Sequence, residues 1–234
     1  MTEDLEFETY LKISKKNFGI YLFDKKKKIN LYEEEVKFEK YNETVDYELL
    51  SSFLDDNIFN IEKLIGKFIQ NIVLIIENNK IFFVNIGVKK KNYEKRLSKI
   101  YLENILTEAK DLIKDTNQDQ KIIHILISNY IVDGINFSKF TNNIISDSLC
   151  LELKFISIPN KLTYDIEKIL EKYQIKVSKY LDYSYIQNFF EDRDLKISEM
   201  AYKVQNGVNE NEVSVIPKNF KKLGFFEKFF QLFS

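Results

Sequence analysis

The stretch "LCLELKFISIPNKLTYDIEKILEKYQIKV", residues 149–177, contains an apolar strand, a helix and the start of another strand. Residues 149–158 form an apolar run that is typical of a buried strand. Residues 162–173 place their apolar side chains on one helical face, which consists of Leu162, Ile166, Ile169, Leu170 and Tyr173. Residues 175–181 then return to a strand pattern. Strands and helices therefore follow one another in a mixed order, and we find no internal repeat, so the sequence predicts an α+β fold.

The same patterns continue upstream of this stretch. Residues 11–23 and 29–38 predict two strands of a hairpin, joined by a turn at 24–28. Residues 46–69 predict a helix that begins at Asp46 and is interrupted at 55–57. Its apolar stripe consists of Leu50, Phe53, Leu54, Ile58, Ile61, Leu64, Ile65 and Phe68. Further strands are predicted at 72–76, 81–88 and 121–128, and a further helix at 94–115.

The composition sets limits on partners and compartment. The chain has 234 residues, 30% of them charged, and a net charge of -1, so it suits one large or two small domains and predicts no nucleic-acid partner. The lysine runs at 25–28 and 89–91 are interpreted as solvated turns at strand ends. A single cysteine, Cys150, rules out an internal disulfide and suits a reducing compartment. The first ten residues are acidic, so no signal sequence is expected there.

The side chains that usually carry catalysis are scarce. The chain has six glycines, and no two of them are close enough to form a glycine-rich phosphate loop. His124 is the only histidine, and its apolar surroundings predict a core side chain. Cys150 has no cysteine or histidine beside it that would suggest a metal site. A Cys–His dyad between strands stays open as a minor alternative. We therefore expect no enzyme activity, no cofactor and no metal.

Two stretches resemble the FtsA family, the actin-like cell-division proteins of bacteria. "KIIHILISNYIVDG", residues 121–134, and residues 149–177 are similar to that family's small inserted subdomain. The marker residues are Ile123, His124, Val132, Asp133 and Gly134. The hairpin at 11–38 resembles the opening of the actin-like lobe, and residues 65–87 resemble the segment that enters the insertion. The resemblance extends over about residues 11–185.

The resemblance implies a partial actin-like lobe (β-hairpin, helix, strand) at 1–80. An inserted strand-helix-strand-strand-helix-strand subdomain follows at 81–181. A short helix with a flexible tether is expected at 182–218, and an amphipathic membrane-targeting helix at 219–234. The family's phosphate turn, Asp-hydrophobic-Gly-Ser/Thr, is replaced here by "ISKKNFGIYLF", residues 13–23, and its second nucleotide motif does not occur. ATP binding is therefore expected to be lost.

The C-terminal sequence "NFKKLGFFEKFFQLFS", residues 219–234, matches the membrane helix with which FtsA proteins end. Its apolar side chains occupy about half of a helical wheel, and lysines precede them. The predicted membrane-binding residues are Lys221, Lys222, Leu223, Phe225, Phe226, Phe229, Phe230, Leu232 and Phe233. The expected partner is the anionic lipid of the inner membrane.

The predicted function is that of a non-enzymatic FtsA-like scaffold on the cytoplasmic face of the bacterial inner membrane, at the division site. Its expected partners are divisome proteins, FtsZ and further copies of itself. Within the loop 135–148 the candidate contact residues are Phe137, Phe140, Ile144 and Ile145, although a loop packed on its own domain fits equally well. One alternative is a soluble interaction module related to pilus-assembly proteins, its C-terminal helix packed on its own core. Another is a ferredoxin-like domain with a deep apolar ligand pocket.

Overall fold

The structure is a computed structural model, and it describes residues 6–38, 44–190 and 195–213. Within these residues the strands are β1 (Phe7–Ile13), β2 (Asn17–Asp24), β3 (Ile29–Lys37), β4 (Asn71–Ile76), β5 (Phe82–Arg96), β6 (Gln120–Val132), β7 (Ile135–Phe137), β8 (Ile145–Pro159), β9 (Lys176–Asp182) and β10 (Glu212–Val213). The helices are α1 (Tyr47–Ile65), α2 (Lys99–Thr116), α3 (Asn160–Glu171), α4 (Tyr183–Phe189) and α5 (Ile197–Gln205).

The chain forms two compact units. The first, which we call the lobe, comprises the described residues within 1–80 and 161–208. The second, the inserted unit, comprises residues 81–160 and 209–213. The lobe is therefore interrupted by the inserted unit, and the chain returns to the inserted unit after leaving the lobe for the second time.

The lobe contains a five-stranded sheet in the order β3-β2-β1-β4-β9. The first three strands are antiparallel neighbours, whereas β1, β4 and β9 run parallel. Every residue of β2 is buried, which explains its almost continuous apolar sequence. The three parallel strands end at the same edge of the sheet, and this edge holds the candidate site described below.

Local chemistry explains where α1 begins and ends. The carboxylate of Asp46 accepts a hydrogen bond from the N–H of Leu49 at 3.0 Å, so Asp46 caps the helix as predicted. Gly66 adopts a left-handed conformation with φ of 68° and ends the helix. Phe68 therefore lies beyond the last turn and is 82% exposed, so its predicted place in the apolar stripe is wrong. Leu64 is also exposed, because it lies on the outer side of the last turn.

The opposite side of the lobe is formed by α4 and α5. Met200, Ala201 and Val204 of α5 are buried in an apolar cluster with residues of the sheet, namely Tyr10, Tyr21, Phe23, Val73, Ile75 and Leu181. The ring of Tyr202 lies 5.3 Å from that of Phe23. The C-terminal part of the lobe is thus built into its core.

The inserted unit contains a second sheet in the order β10-β6-β8-β5, with β7 paired to β6. Its strand pairs are antiparallel. Helix α2 covers one face through its buried side chains Leu102, Ile105, Leu106, Ala109 and Ile113. These pack against alternate residues of β8, which are Leu149, Leu151, Leu153 and Phe155. The period of two along β8 is what a strand with one face on a core requires.

A strained turn projects from β5. The pairing of β5 with β8 shifts register between Lys91 and Lys95, and Tyr93 and Glu94 both adopt left-handed conformations with φ of 52° and 53°. The buried side-chain amide of Asn92 donates to the carbonyl oxygens of Lys95 and Ser146. These hydrogen bonds hold the turn in a conformation that non-glycine residues rarely adopt.

The α+β class, with a lobe that is interrupted by an insertion, is confirmed. The boundary between the two parts differs from the predicted 81–181, because β9 pairs with β4 of the lobe and α3 belongs to the same unit. The helix and strand that follow residue 160 therefore complete the lobe rather than the insertion. The prediction therefore places β9 in the wrong sheet. Strands with similar apolar patterns can pair with different partners, and the choice depends on residues distant in the sequence.

Two further predictions are wrong within the described residues. Helix α1 is continuous through 55–57, because Asn57 is buried and its side-chain amide donates to the carbonyl oxygen of Phe53. The segment 182–218 begins with α4, which is the predicted short helix, but the part predicted to be a flexible tether contains α5 and β10 among its described residues. The sequence pattern does not indicate α5, because polar and charged residues separate its few buried side chains. The membrane-targeting helix predicted at 219–234 lies outside the described residues.

Candidate functional site

The turn between β1 and β2 occupies the place where the FtsA resemblance puts a phosphate-binding turn. Here the hydroxyl of Ser14 accepts hydrogen bonds from the N–H groups of Lys16 and Asn17 at 3.1 and 3.0 Å. The same hydroxyl donates to the side-chain oxygen of Asn17 at 2.7 Å. Ser14 is also buried. The hydroxyl of Ser14 thus closes the turn from within. The two backbone N–H groups that could otherwise bind a phosphate, those of Lys16 and Asn17, already donate to this hydroxyl.

The side chain of Asn17 connects this turn to β3. Its amide donates to the carboxylate of Glu35 at 2.9 Å, and that carboxylate also accepts a hydrogen bond from the hydroxyl of Tyr21. Burial raises the pKa of Tyr21 and the bond to Glu35 raises it further. The Tyr21 hydroxyl therefore stays protonated and donates at any physiological pH. Gly19 lies beneath this hydroxyl, where a Cβ atom would approach it to 2.4 Å.

Acidic side chains follow the other parallel strands at the same edge. The N–H of Glu77, directly after β4, donates to the carbonyl oxygen of Ile13 at 2.9 Å. Asp182 ends β9, is buried, and accepts a hydrogen bond from the N–H of Tyr185 at 2.9 Å, which caps α4. Ligands of open α/β sheets bind at this edge, beyond the carboxyl ends of the strands. Two carboxylates there disfavour a phosphate.

Two lysines are buried at this edge of the lobe. The ammonium of Lys12 lies 4.7 Å from the centre of the Tyr183 ring. Burial lowers the pKa of Lys12, while the carboxylates of Glu35 and Glu77 act to raise it. Lys15 is buried as well. The edge is therefore a packed polar cluster with internal partners, and its chemistry is that of a structural network.

The remaining candidates for catalysis are far apart. His124 is buried, and its Nδ1 lies 2.7 Å from the carboxylate of Glu212 on β10. It faces Ile156 of β8, whereas Cys150 lies six residues away along that strand, about 20 Å at the usual rise per residue. This separation excludes a Cys–His dyad. In the part of the chain that the structure describes, no group of three or more His, Cys, Asp and Glu side chains could hold a metal ion.

A shallow hollow of 460 Å³ lies between α1 and α3 in the lobe, lined by Tyr47, Glu48, Ser51, Ser52, Asp55, Ile169 and Lys172. The hydroxyl of Tyr173, two residues after the end of α3, donates to Asp55 of α1 at 2.6 Å. The hollow is shallow and open to solvent, and Ile169 is the one aliphatic side chain among the residues that line it. It differs from the deep apolar pocket that a ferredoxin-like ligand-binding domain would need.

The four predicted contact residues occupy different environments. Phe137, Phe140 and Ile144 are partly buried and pack against the core of the inserted unit. The ring of Phe140 lies 5.9 Å from that of Tyr130. Ile145 alone is exposed, at 60%. The structure therefore favours the packed-loop alternative for the first three.

The sequence patterns do not reveal that β3 and β5 are edge strands of their sheets. The lysine run at 25–28 forms a turn as expected, but Lys89–Lys91 lies inside β5, an edge strand of its sheet. A matching run of Glu33–Glu35 lies inside β3, which is the edge strand of the lobe. The sequence does carry a sign of these edges, because each run of charges lies within a strand pattern. Charged side chains within a strand often mark an exposed sheet edge.

The predicted membrane-binding residues, Lys221 to Phe233, lie outside the described residues. Among the residues that are described, no helix is both long and apolar enough to cross a membrane.

No protein-family model matches this sequence, and no curated protein matches it. Solved structures are similar to it in fold. The PilM-PilN type IV pilus biogenesis complex matches with a TM-score of 0.52 and 8% identity, over 78% of this chain and 49% of that chain. This chain therefore spans about half the length of the pilus-complex chain that it matches.

Two further structures match at lower similarity. The cytoplasmic domain of EpsL, an inner-membrane component of the type II secretion system of Vibrio cholerae, has a TM-score of 0.39 and 10% identity, over 75% of this chain and 57% of that chain. A Bacteroides thetaiotaomicron protein of unknown function, described as having an actin-like ATPase fold, has a TM-score of 0.33 and 12% identity, over 80% and 57%. None of these three is FtsA. What the structure supports is a partial actin-like lobe with an inserted unit.

Proposed function

We propose that this chain is a non-enzymatic protein-interaction module of the actin-like kind, held at an anionic membrane surface by residues 219–234. The observation that carries the proposal is the closed β1–β2 turn, in which Ser14 accepts from the N–H groups of Lys16 and Asn17. A lobe that keeps its fold and closes this turn acts through its surface rather than through nucleotide chemistry.

The membrane part of the proposal rests on the sequence of the tail. A fully buried Phe side chain gains roughly 1.5–3 kcal/mol, and a lysine near an anionic surface adds about 1 kcal/mol. Ordering about ten backbone residues costs on the order of 10 kcal/mol, partly offset by helix hydrogen bonds. One tail therefore binds weakly and reversibly, and several tails on an assembly bind well.

We infer that the module serves as an FtsA-like scaffold in division, on the cytoplasmic face of the bacterial inner membrane. The order of motifs along the sequence supports this role. A second candidate is assembly of a pilus or secretion system, favoured by the similarity in fold to the PilM-PilN complex. Pull-downs from the source cells, probed for FtsZ and for inner-membrane pilus components, distinguish the two roles. Recovery of neither set would contradict both.

Calorimetric titration of the full chain with Mg-ATP tests the non-enzymatic part. We expect no heat of binding up to millimolar nucleotide, because the turn donors are occupied and the edge carries carboxylates. A micromolar dissociation constant would show that the turn opens, and the proposal would then be wrong.

Co-sedimentation with vesicles tests the membrane part. The full chain should pellet with phosphatidylglycerol-containing vesicles, whereas a chain ending at Val213 should not. Replacing Phe226 and Phe230 by Glu removes two rings, roughly 2–4 kcal/mol if each is half to two-thirds buried, and should abolish binding. Replacing Lys221 and Lys222 by Gln should matter mainly at raised salt. If the double Glu variant instead lowers the melting temperature and the full chain never binds vesicles, the tail packs on the protein.

A further inference from the structure

Among the described residues each sheet has two edge strands, β3 and β9 in the lobe and β5 and β10 in the inserted unit, and β3 and β5 are the two that carry runs of charge. In the lobe β3 pairs only with β2, and in the inserted unit β5 pairs only with β8 among the described residues. An unpaired strand edge presents a row of N–H and C=O groups on which another strand can form hydrogen bonds. β3 has nine residues and β5 has fifteen, so each is long enough to template a further strand.

The two edges have the same layout with opposite charge. β5 begins with the exposed rings of Phe82 and Phe83, continues with an apolar half, and then carries Lys89–Lys91. β3 begins with the exposed side chains of Ile29 and Leu31 and then carries Glu33–Glu35. Each strand is therefore apolar first and charged second along the chain direction. A parallel pairing that places Glu34 opposite Lys90 would align the two charged runs and would place Ile29 opposite Asn85, three residues after Phe82.

Some of these charges already have contacts within the chain. Lys90 pairs with Glu108, and Glu33 pairs with Lys196. Both pairs lie at the surface, where ion pairs contribute little and can exchange partners. Glu34 is exposed on β3, and Lys89 and Lys91 are exposed on β5. Glu34, Lys89 and Lys91 are therefore accessible to a second molecule, whereas the carboxylate of Glu35 is held by Asn17 and Tyr21.

Charge also disfavours the symmetric alternatives. Two β3 strands pairing about their centres would bring two acidic runs together, and two β5 strands pairing about their lysines would bring two basic runs together. Like charges directly opposite one another destabilise a strand pair, whereas opposite charges stabilise it. Pairing β3 with β5 is the combination that avoids repulsion.

We propose that copies of this chain associate head to tail, with β3 of one copy adding in parallel to the β5 edge of the next and Glu34 lying opposite Lys90. The pair then still offers one unpaired β3, on one copy, and one unpaired β5, on the other, so the assembly grows into a ring or a filament. The contact is small and therefore weak for a single pair. The inference does not depend on lipid binding or on the cellular process.

Matched charge reversals of the full chain test this pairing by sedimentation equilibrium. Glu34→Lys and Lys90→Glu should each weaken self-association about fivefold, because one attraction becomes a repulsion. An equimolar mixture of the two variants should associate as the wild type does, since each then finds a complementary edge on the other. The double variant should behave likewise. Lys67→Glu, which changes the same charge away from both edges, should leave association unchanged.

Hydrogen exchange gives the structural readout. Backbone amides of both β3 and β5 should exchange more slowly as the concentration of the chain rises, and those of Lys90→Glu should not. Three results would overturn the proposal. They are a wild-type chain that stays monomeric at every soluble concentration, association that is unaffected by either reversal, and a mixture that fails to recover. Protection of the β5 edge only after adding another protein would assign that edge to a different partner.

Discussion

Replacing Met200 by Ala tests whether the segment after α4 belongs to the folded lobe. Met200 is 5% exposed and packs in the cluster that includes Tyr10, Tyr21 and Phe23. Truncating a buried Met in such a cluster costs the lost burial and leaves a cavity, about 2–4 kcal/mol together. If this segment were instead the flexible tether that its polar composition predicts, the same truncation would cost almost nothing.

Urea unfolding followed by far-ultraviolet circular dichroism measures this difference. With a slope of about 2 kcal/mol per molar urea, the transition of the lobe should move down by roughly 1–2 M. Lys203→Ala is the matched control, because Lys203 lies on the same helix, is half-buried, and its ammonium forms an ion pair with Glu199 and lies 5.9 Å from the centre of the Phe190 ring, outside the apolar cluster of Met200. It should shift the free energy of unfolding by no more than about 0.5 kcal/mol.

Equal midpoints for Met200→Ala and Lys203→Ala would refute the reasoning. α5 would then not pack on the sheet. A loss confined to Met200→Ala would mean that the chain is anchored in the lobe through α5, which ends at Gln205.

Three further outcomes are expected. Burial raises the pKa of Tyr130 to about 12. The stabilisation that depends on its neutral hydroxyl is therefore complete below about pH 10 and is lost as pH rises through 12. At pH 11 the tyrosinate absorbance of the folded chain should be lower than that of the chain unfolded in urea. Asn92→Ala should lower the free energy of unfolding by about 1–3 kcal/mol, because the carbonyl oxygens of Lys95 and Ser146 lose their donor. An unchanged urea midpoint would show that these hydrogen bonds do not stabilise the turn. Replacing Phe137 and Phe140 by Ser should lower the melting temperature of the inserted unit rather than only weaken self-association, since both pack on its core; unchanged melting would restore them as contact residues.

Local features of this protein were predictable from sequence because they depend on neighbours a few residues apart. The start of α1 at Asp46 follows from a carboxylate that caps the third N–H after it, and the buried stripe at Leu50, Leu54 and Ile61 follows from the helical repeat. The buried environment of His124 likewise follows from the apolar strand around it.

The candidate site was predictable only in part. The missing phosphate motif could be seen in "ISKKNFGIYLF", residues 13–23. That Ser14 closes the turn on itself could not, because its geometry depends on how β1 and β2 meet. Asp182 and Glu77 come to the same edge only because their strands run parallel beside β1, and they are more than a hundred residues apart in the chain.

The sequence by itself determined the α+β class, most helix positions and the loss of nucleotide motifs, since periodicity, capping and composition act locally. The tertiary structure alone decided that β9 belongs to the lobe, that α5 is part of the core, and that the runs of Glu33–Glu35 and Lys89–Lys91 lie on unpaired sheet edges. A strand carries the same pattern of apolar residues whichever neighbour it pairs with. Its partner is chosen by contacts between distant parts of the chain, and the pattern within the strand does not encode them.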